Sequence, residues 1–150
     1  MALKERLQTD LTAAMKARDE LRAATLRMAL TAITTEEVAG KKARVLTDDE
    51  VLTVLTREAK KRREAAEAFD GAGRAELADR ERAEGEVLSD YLPAQLTDDE
   101  LVDIVRAAIA ETGADSPKAM GQVMKVVQPQ ITGRAEGGRV AAEVRRQLGV

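Results

Sequence analysis

The chain has 150 residues, 24 of them lysine or arginine and 27 aspartate or glutamate, for a formal net charge of −3. This length allows one domain or two small ones, and the charge by itself predicts neither a nucleic-acid nor a membrane partner. The absence of cysteine excludes disulfides and thiol nucleophiles, and the absence of histidine removes the commonest general base and metal ligand.

We therefore expect no cofactor and no metal site. The beginning of the chain, MALKERLQTDL, has the pattern of an amphipathic helix rather than of a signal peptide. No apolar run approaches the roughly 20 residues that span a bilayer. These features predict a cytoplasmic protein with no membrane partner.

The first part of the chain shows helical hydrophobic spacing. One apolar residue recurs every fourth position of a first helix: Leu3, Leu7, Leu11 and Met15. Asp19 is placed to cap a second helix, and Thr47 with Glu50 forms a capping box at the start of a third. That third helix, residues 48–70, has a predicted length of roughly 33 Å.

Glycines and prolines divide the rest of the chain. Gly71 and Gly73 indicate a turn after the long helix, and Pro93 closes the helix that follows. A second capping box, Thr97 to Glu100, begins another helix, which Gly113 ends. Ser116 and Pro117 predict the capped start of the next helix, and the last helix has its apolar face at Val140, Val144 and Leu148.

No segment alternates between apolar and polar residues, so we predict an all-α fold without strands. The boundary is expected at Tyr91-Leu92-Pro93. It separates an N-terminal four-helix module, residues 1–92, from a C-terminal three-helix module, residues 93–150.

Nothing in the sequence predicts a catalytic centre. Ser89 and Ser116 have no histidine to activate them, and there is no phosphate-binding P-loop. The carboxylates are expected on the outer faces of helices or in capping boxes. The basic run at residues 60–63 is expected to form exposed ion pairs across to the next helix, and nucleic-acid binding is the alternative. In the ion-paired arrangement Arg62 and Arg63 lie opposite Glu81, and Glu84 lies near Lys60 or Ala59.

The C-terminal stretch differs in charge. From Lys118 onward there are six basic residues and two acidic ones, a net charge of +4, which leaves −7 for the rest. Arg134 and Arg139 flank a glycine-rich turn whose backbone N–H groups could approach a phosphate. The alternative is that the glycines serve only tight packing, and spacing alone leaves both open.

The candidate RNA-binding residues lie in this stretch: Lys118, Lys125, Arg134, Gly137, Gly138 and Arg139. No aromatic residue accompanies them, so stacking on single-stranded bases is not expected. The expected mode is contact with backbone phosphates and with the shape of a folded RNA.

Several short motifs, in order along the chain, resemble those of the GatB/YqeY family, and specifically its stand-alone YqeY-like members. They are Asp10-Leu11 with Ala14-Met15-Lys16, Leu26-Arg27, Lys61-x-Arg63-Glu64, Gly73-Arg74 with Leu77, Glu81 and Glu84, Tyr91-Leu92-Pro93, Met120-Gly121-x-Val123-Met124, and Gly133-Arg134-Ala135-Glu136-Gly137 with Val140. Position 136 holds glutamate where the family pattern usually has aspartate.

The resemblance implies an all-helical, two-module protein whose C-terminal module is similar to the tail of the B subunit of tRNA-dependent amidotransferase. That enzyme is a carbon–nitrogen ligase that amidates Glu-tRNA(Gln) or Asp-tRNA(Asn), and its tail contacts the tRNA body. The subunit's catalytic domain has no counterpart in this chain.

Three functions follow from these patterns. The first is a non-catalytic tRNA-binding or amidotransferase-associated module. The second is a protein–protein adaptor, in which the long helix at residues 48–70 or the C-terminal bundle docks another helical protein. The third is an enzyme acting on tRNA-linked carboxyl groups, which the missing catalytic domain disfavours.

Overall fold

A computed structural model describes residues 2–149. This part of the chain forms seven α-helices and one 3₁₀ turn and contains no strand, which confirms the predicted all-α fold. The helices are α1 Leu3–Lys16, α2 Glu20–Glu37, α3 Asp48–Gly71, α4 Ala75–Ser89, α5 Asp98–Thr112, α6 Met120–Ile131 and α7 Gly137–Leu148, with the 3₁₀ turn Pro117–Ala119 before α6. None of these described helices is long and apolar enough to cross a membrane.

The chain divides into two compact units, Met1–Leu92 and Pro93–Val150. Each has its own apolar core. The first, called the N-terminal unit below, contains α1 to α4. The second, called the C-terminal unit, contains α5 to α7 and the 3₁₀ turn. Aliphatic side chains dominate both cores, as the scarcity of aromatic residues requires.

The N-terminal unit packs α3 against α4 and α1 against α2. Its innermost side chains come from all four helices: Leu7, Leu26, Ile33, Leu55 and Leu88. Met15 departs from the predicted apolar face of α1, because it lies in the last turn before the helix ends at Lys16 and is 54% exposed.

The C-terminal unit buries one aliphatic stripe from each of its three helices. The fully buried residues are Val105, Val123, Val127, Val140 and Val144. Pro129 lies inside α6, in its last turn. The segment before α5 is held by a hydrogen bond from the Leu96 N–H to the Arg134 carbonyl, 2.8 Å long.

The predicted caps at Asp19, Thr47 and Thr97 are confirmed, and both threonine caps are complete capping boxes. Ser116 is the N-cap residue and Pro117 follows at the helix start, as predicted, but the helix begins as a 3₁₀ turn and the Ser116 side chain makes no capping hydrogen bond. One boundary prediction was wrong. Helix α4 ends at Ser89, before Pro93, and the residues released from the helix let Tyr91 enter the N-terminal core.

Candidate nucleic-acid interface

The exposed face of α6 is free of acidic side chains. Residues 116–135 contain no aspartate or glutamate, and their charged residues are Lys118, Lys125 and Arg134. Lys118 lies in the 3₁₀ turn and Lys125 near the middle of α6, and both are exposed. The neighbouring exposed positions of α6 include Gly121, Gln122 and Gln128. This face therefore presents cations and neutral amides to an approaching ligand.

The two lysines differ from most basic residues of the chain. In the N-terminal unit, arginines such as Arg44, Arg57 and Arg82 each face a carboxylate within an ion pair. Within the part of the chain that the structure describes, Lys118 and Lys125 form no ion pair. Their charge is consequently available to an external anion.

Arg134 has a structural task inside the C-terminal unit. It follows Gly133, whose φ of +74° lies in the left-handed region, where glycine is favoured. The Arg134 guanidinium donates from Nε to the Ala94 carbonyl at 3.2 Å and from Nη1 to the Gln130 carbonyl at 3.4 Å. It therefore ties the end of α6 to the segment that enters α5, while remaining partly exposed.

Arg139 points toward the start of α5, where three acidic residues form the first turn. Its Nη2 donates to Asp98 Oδ1 at 2.8 Å, and Asp98 is almost fully exposed. Glu100 in the same turn has a lowered pKa, chiefly because its carboxylate accepts the Thr97 backbone N–H, with a smaller effect from the charge of Arg134. Both predicted arginines thus lie beside a negatively charged helix terminus.

Gly137 and Gly138 begin α7, and this helix N-terminus already has an anion beside it. The Glu136 carboxylate accepts a hydrogen bond from the Gly138 N–H at 2.8 Å. A Cβ on Gly138 would lie 2.5 Å from Glu136 Oε1, so the glycine permits this cap. Glutamate at 136 therefore caps the helix, although its side chain is one methylene longer than the aspartate of the family pattern.

The structure separates the six predicted residues into two sets. Lys118 and Lys125 lie on the acid-free face of α6, with their charges uncompensated. Arg134, Gly137, Gly138 and Arg139 lie at the α6–α7 turn, where this chain's own carbonyls and carboxylates already occupy the donors described above. Among these six residues, Lys118 and Lys125 are the cations for which the described part of the chain provides no hydrogen-bond or ion-pair partner.

The expectation that all carboxylates lie on outer faces was wrong. Glu37, Glu58 and Glu84 are buried, and so is Arg62, which is 4% exposed. Arg62 lies 3.3 Å from the Glu58 carboxylate and 3.6 Å from that of Glu84 across the α3–α4 interface. Glu84 therefore pairs with Arg62, and the basic run is only partly solvent-exposed.

The pKa shifts resolved for carboxylates of the C-terminal unit are downward. Glu100 and Glu143 have lowered pKa values, the latter chiefly because its carboxylate accepts from Arg146. Neither shift produces a general base suited to neutral pH. No three metal-ligating side chains come together anywhere in residues 2–149.

Comparison with known proteins gives two matches. A family model described as "Yqey-like protein" matches residues 4–148, nearly the whole chain. An uncharacterised protein of Schizosaccharomyces pombe is 40% identical over 80 residues, which cover 53% of this chain and 63% of that protein. The name of this relative states no activity, ligand or partner.

Proposed function

The chain belongs to the YqeY-like protein family, and on that premise we propose that its C-terminal unit is a non-catalytic RNA-binding module. Its ligand is a folded RNA of the tRNA class, held through backbone phosphates. The family's resemblance to the tail of the amidotransferase B subunit supports tRNA as the class and an amidotransferase-associated role as the context.

The acid-free face of α6 is the observation that supports this proposal most directly. Phosphate contacts require cations that are not already neutralised, because binding depends on releasing counterions from the nucleic acid. Lys118 and Lys125 meet this requirement, and the exposed Gln122 and Gln128 of α6 add neutral hydrogen-bonding groups. The net charge of the whole chain is negative, so attraction must come from this local face.

The form of RNA follows from the side chains that are missing. The C-terminal unit has no aromatic residue on which a base could stack, since the two aromatics of the chain are Phe69 and Tyr91. Stacking is the usual means of holding single strands. We therefore expect the unit to prefer a folded tRNA to an unstructured homopolymer of the same length.

The test measures tRNA binding of the full chain over a salt series, with two double variants. Lys118→Ala/Lys125→Ala should reduce the slope of log affinity against log salt concentration by roughly two, because each phosphate contact contributes about 0.9 to the magnitude of that slope. Arg134→Ala/Arg139→Ala should change the slope less than the lysine variant, because the donors of both arginines already have partners within the unit, and it should lower stability, because Arg134 secures the segment before α5.

A matched control removes two cations that already have carboxylate partners in the same unit. Arg106 pairs with Asp103 and Arg146 with Glu143, so Arg106→Ala/Arg146→Ala should leave the salt slope almost unchanged. If the wild-type chain does not bind tRNA even at low salt, the RNA proposal is wrong. If the lysine and control variants behave alike, the α6 face is not the site.

A further inference from the structure

An open groove runs between α2 and α3 in the N-terminal unit, with a volume of about 740 Å³. Its walls have the i, i+3, i+4, i+7 spacing of one helical face on each side. Helix α2 contributes Ala24, Arg27, Met28, Thr31, Ala32, Thr35 and Glu36, and α3 contributes Val54, Arg57, Glu58 and Lys61. Met28 is half-exposed at the centre of the α2 wall.

The two threonine hydroxyls on the α2 wall already have hydrogen-bond acceptors. Thr31 Oγ1 donates to the Arg27 carbonyl and Thr35 Oγ1 to the Thr31 carbonyl, both at 2.9 Å. Covering these two threonines would therefore break few hydrogen bonds with water. Together with the alanines and Met28, they form a surface that loses little when an apolar partner covers it.

The buried ionic cluster fixes one side of this groove. Arg62, held by Glu58 and Glu84, donates from Nη2 to the Met28 sulfur at 3.7 Å. Met28 in the α2 wall is thus supported by the buried Arg62 side chain, which reaches it from α3. Methionine remains adaptable in shape on its exposed side and suits contact with another protein.

The uncompensated charge at the groove is positive. Glu36 pairs with Arg57 at 3.3 Å, and Glu58 pairs with Lys61 at 3.1 Å and with Arg62. Arg27 forms no ion pair among the described residues, although it is exposed on the groove's rim. A ligand that presents a carboxylate beside an apolar stripe would complement this arrangement.

A second open pocket, of about 550 Å³, shares Ala24 and Arg27 with the groove and continues it toward the α1–α2 turn. It is lined by Met15, one of the exposed large apolar side chains, and by Arg18, which has no ion-pair partner within residues 2–149. The second pocket is also lined by Asp19, Glu20 and Arg80, and Arg80 pairs with Glu84. The two pockets therefore form one path, with Arg27 in the shared stretch and charges of both signs at the end near the α1–α2 turn.

We propose that this path, called the α2 groove, docks an amphipathic helix of another protein. The docked helix has apolar residues at i, i+3 or i+4, and i+7 facing Met28, and an aspartate or glutamate facing Arg27. The walled stretch of α2, residues 24–36, is about 18 Å long, which matches about three helical turns. A helix lying in a groove between two helices is a common mode of peptide recognition.

This proposal gives the adaptor alternative a defined surface and a defined partner chemistry. It does not depend on RNA binding, because every residue named for it lies in the N-terminal unit. A chain can therefore fail the tRNA test and pass this one, or the reverse.

The experiment adds synthetic amphipathic helical peptides, about four turns long, to the full chain with ¹³C-labelled methionine methyl groups. Peptides with one leucine stripe carry acidic, basic or scrambled flanks. The acidic peptide should shift the Met28 and Met15 methyl signals in a saturable way. The Met120 and Met124 signals of the C-terminal unit should not move.

Two substitutions test the contacts. Arg27→Glu should lower the affinity for the acidic peptide by up to about fivefold, since exposed charge pairs contribute modestly. It should raise the affinity for the basic peptide. Thr31→Arg should block the groove and weaken every peptide by about tenfold or more. Arg63→Glu makes the same charge change on an exposed position of α3 outside the groove and should have no effect.

Three results would overturn the proposal. The first is no shift at Met28 with the acidic peptide at millimolar concentration. The second is equal binding of the acidic and scrambled peptides, and the third is an Arg27→Glu effect no larger than that of Arg63→Glu. Concentration-dependent Met28 shifts without peptide, accompanied by dimer in sedimentation, would assign the groove to a second copy of this chain instead.

Discussion

At the scale of single residues, Tyr91 holds the end of the N-terminal unit in place. Its hydroxyl donates to Asp10 Oδ2 at 2.5 Å and accepts from Arg22 Nη2 at 3.3 Å. The Arg6 guanidinium lies 4.7 Å from the centre of its ring. One side chain thereby connects α1 and α2 to the segment that follows α4.

These surroundings raise the pKa of Tyr91 to about 12, through burial first and through the hydrogen bond to Asp10 second. Because this is the only tyrosine and there is no tryptophan, tyrosinate absorbance reports it directly. The pKa of Tyr91 in the folded chain lies above the ordinary value of 10.0. The neutral hydroxyl's contribution to folding stability is therefore complete below pH 10 and is lost as the pH rises toward 12.

We expect tyrosinate absorbance to appear near pH 12 in the wild type. In Asp10→Asn the transition should move toward 10, since the carboxylate that accepts the hydrogen bond is gone. Glu5→Gln, at an exposed position of the same helix, should leave the midpoint unchanged. A wild-type midpoint at 10 with the fold intact would show that the Tyr91 contacts do not form in solution.

At the scale of helices, the reliable predictions were those that depend on residues close to one another in the sequence. A capping box needs a threonine and a glutamate three residues apart, so the sequence alone defines it at Thr47 and Thr97. The partner of Arg62 depends instead on how α3 and α4 are aligned. An error of one helical turn in the alignment of α4 against α3 places Glu81 opposite Arg62 instead of Glu84. The same error decides whether Arg62 and its carboxylate partner are predicted to be buried or exposed.

The candidate site was only partly predictable for the same reason. The basic residues after Lys118 are visible in the sequence, but their partners are not. Asp98 is 41 residues from Arg139 in the chain and 2.8 Å from it in space. The groove on α2 was not predicted, because its apolar residues are alanine, methionine and threonine methyl groups rather than a leucine stripe.

Two glycines of the C-terminal unit should respond oppositely to alanine. Gly113 has a φ of +69° after α5, so Gly113→Ala should destabilise the unit by about 1 kcal/mol. Gly121 lies in α6 with no atom within 4 Å of an added Cβ, so Gly121→Ala should stabilise it by up to about 1 kcal/mol. Hydrogen exchange of the Val123 and Val127 amides measures the change in the unit's stability for each variant.

The decisive result is that Gly113→Ala and Gly121→Ala change the stability of the unit in opposite directions. If Gly121→Ala destabilised the unit, the glycine would be needed for packing that the structure does not contain. If it stabilised the unit but weakened tRNA binding, the backbone at Gly121 would lie close to the RNA, next to Lys118 and Lys125.

At the scale of the whole molecule, charge is distributed more evenly than the count from Lys118 suggested. Residues 93–150 contain seven basic and eight acidic residues, a net charge of −1 that leaves −2 for residues 1–92. The positive character therefore belongs to one face of the C-terminal unit, while the start of α5 is acidic. Any RNA that binds must approach the α6 face and avoid the first turn of α5.

This arrangement predicts that Asp98 limits RNA affinity by holding Arg139. Asp98→Asn should release Arg139 to a phosphate, strengthen tRNA binding and steepen the salt slope by roughly one, at a small cost to α5 because the helix dipole favours an acid there. Asp103→Asn removes the same charge from the same helix, but Asp103 pairs with Arg106. Binding titrations over a salt series compare the two variants. Equal effects would mean that only the overall charge changed, and Arg139 would then be excluded as a phosphate contact.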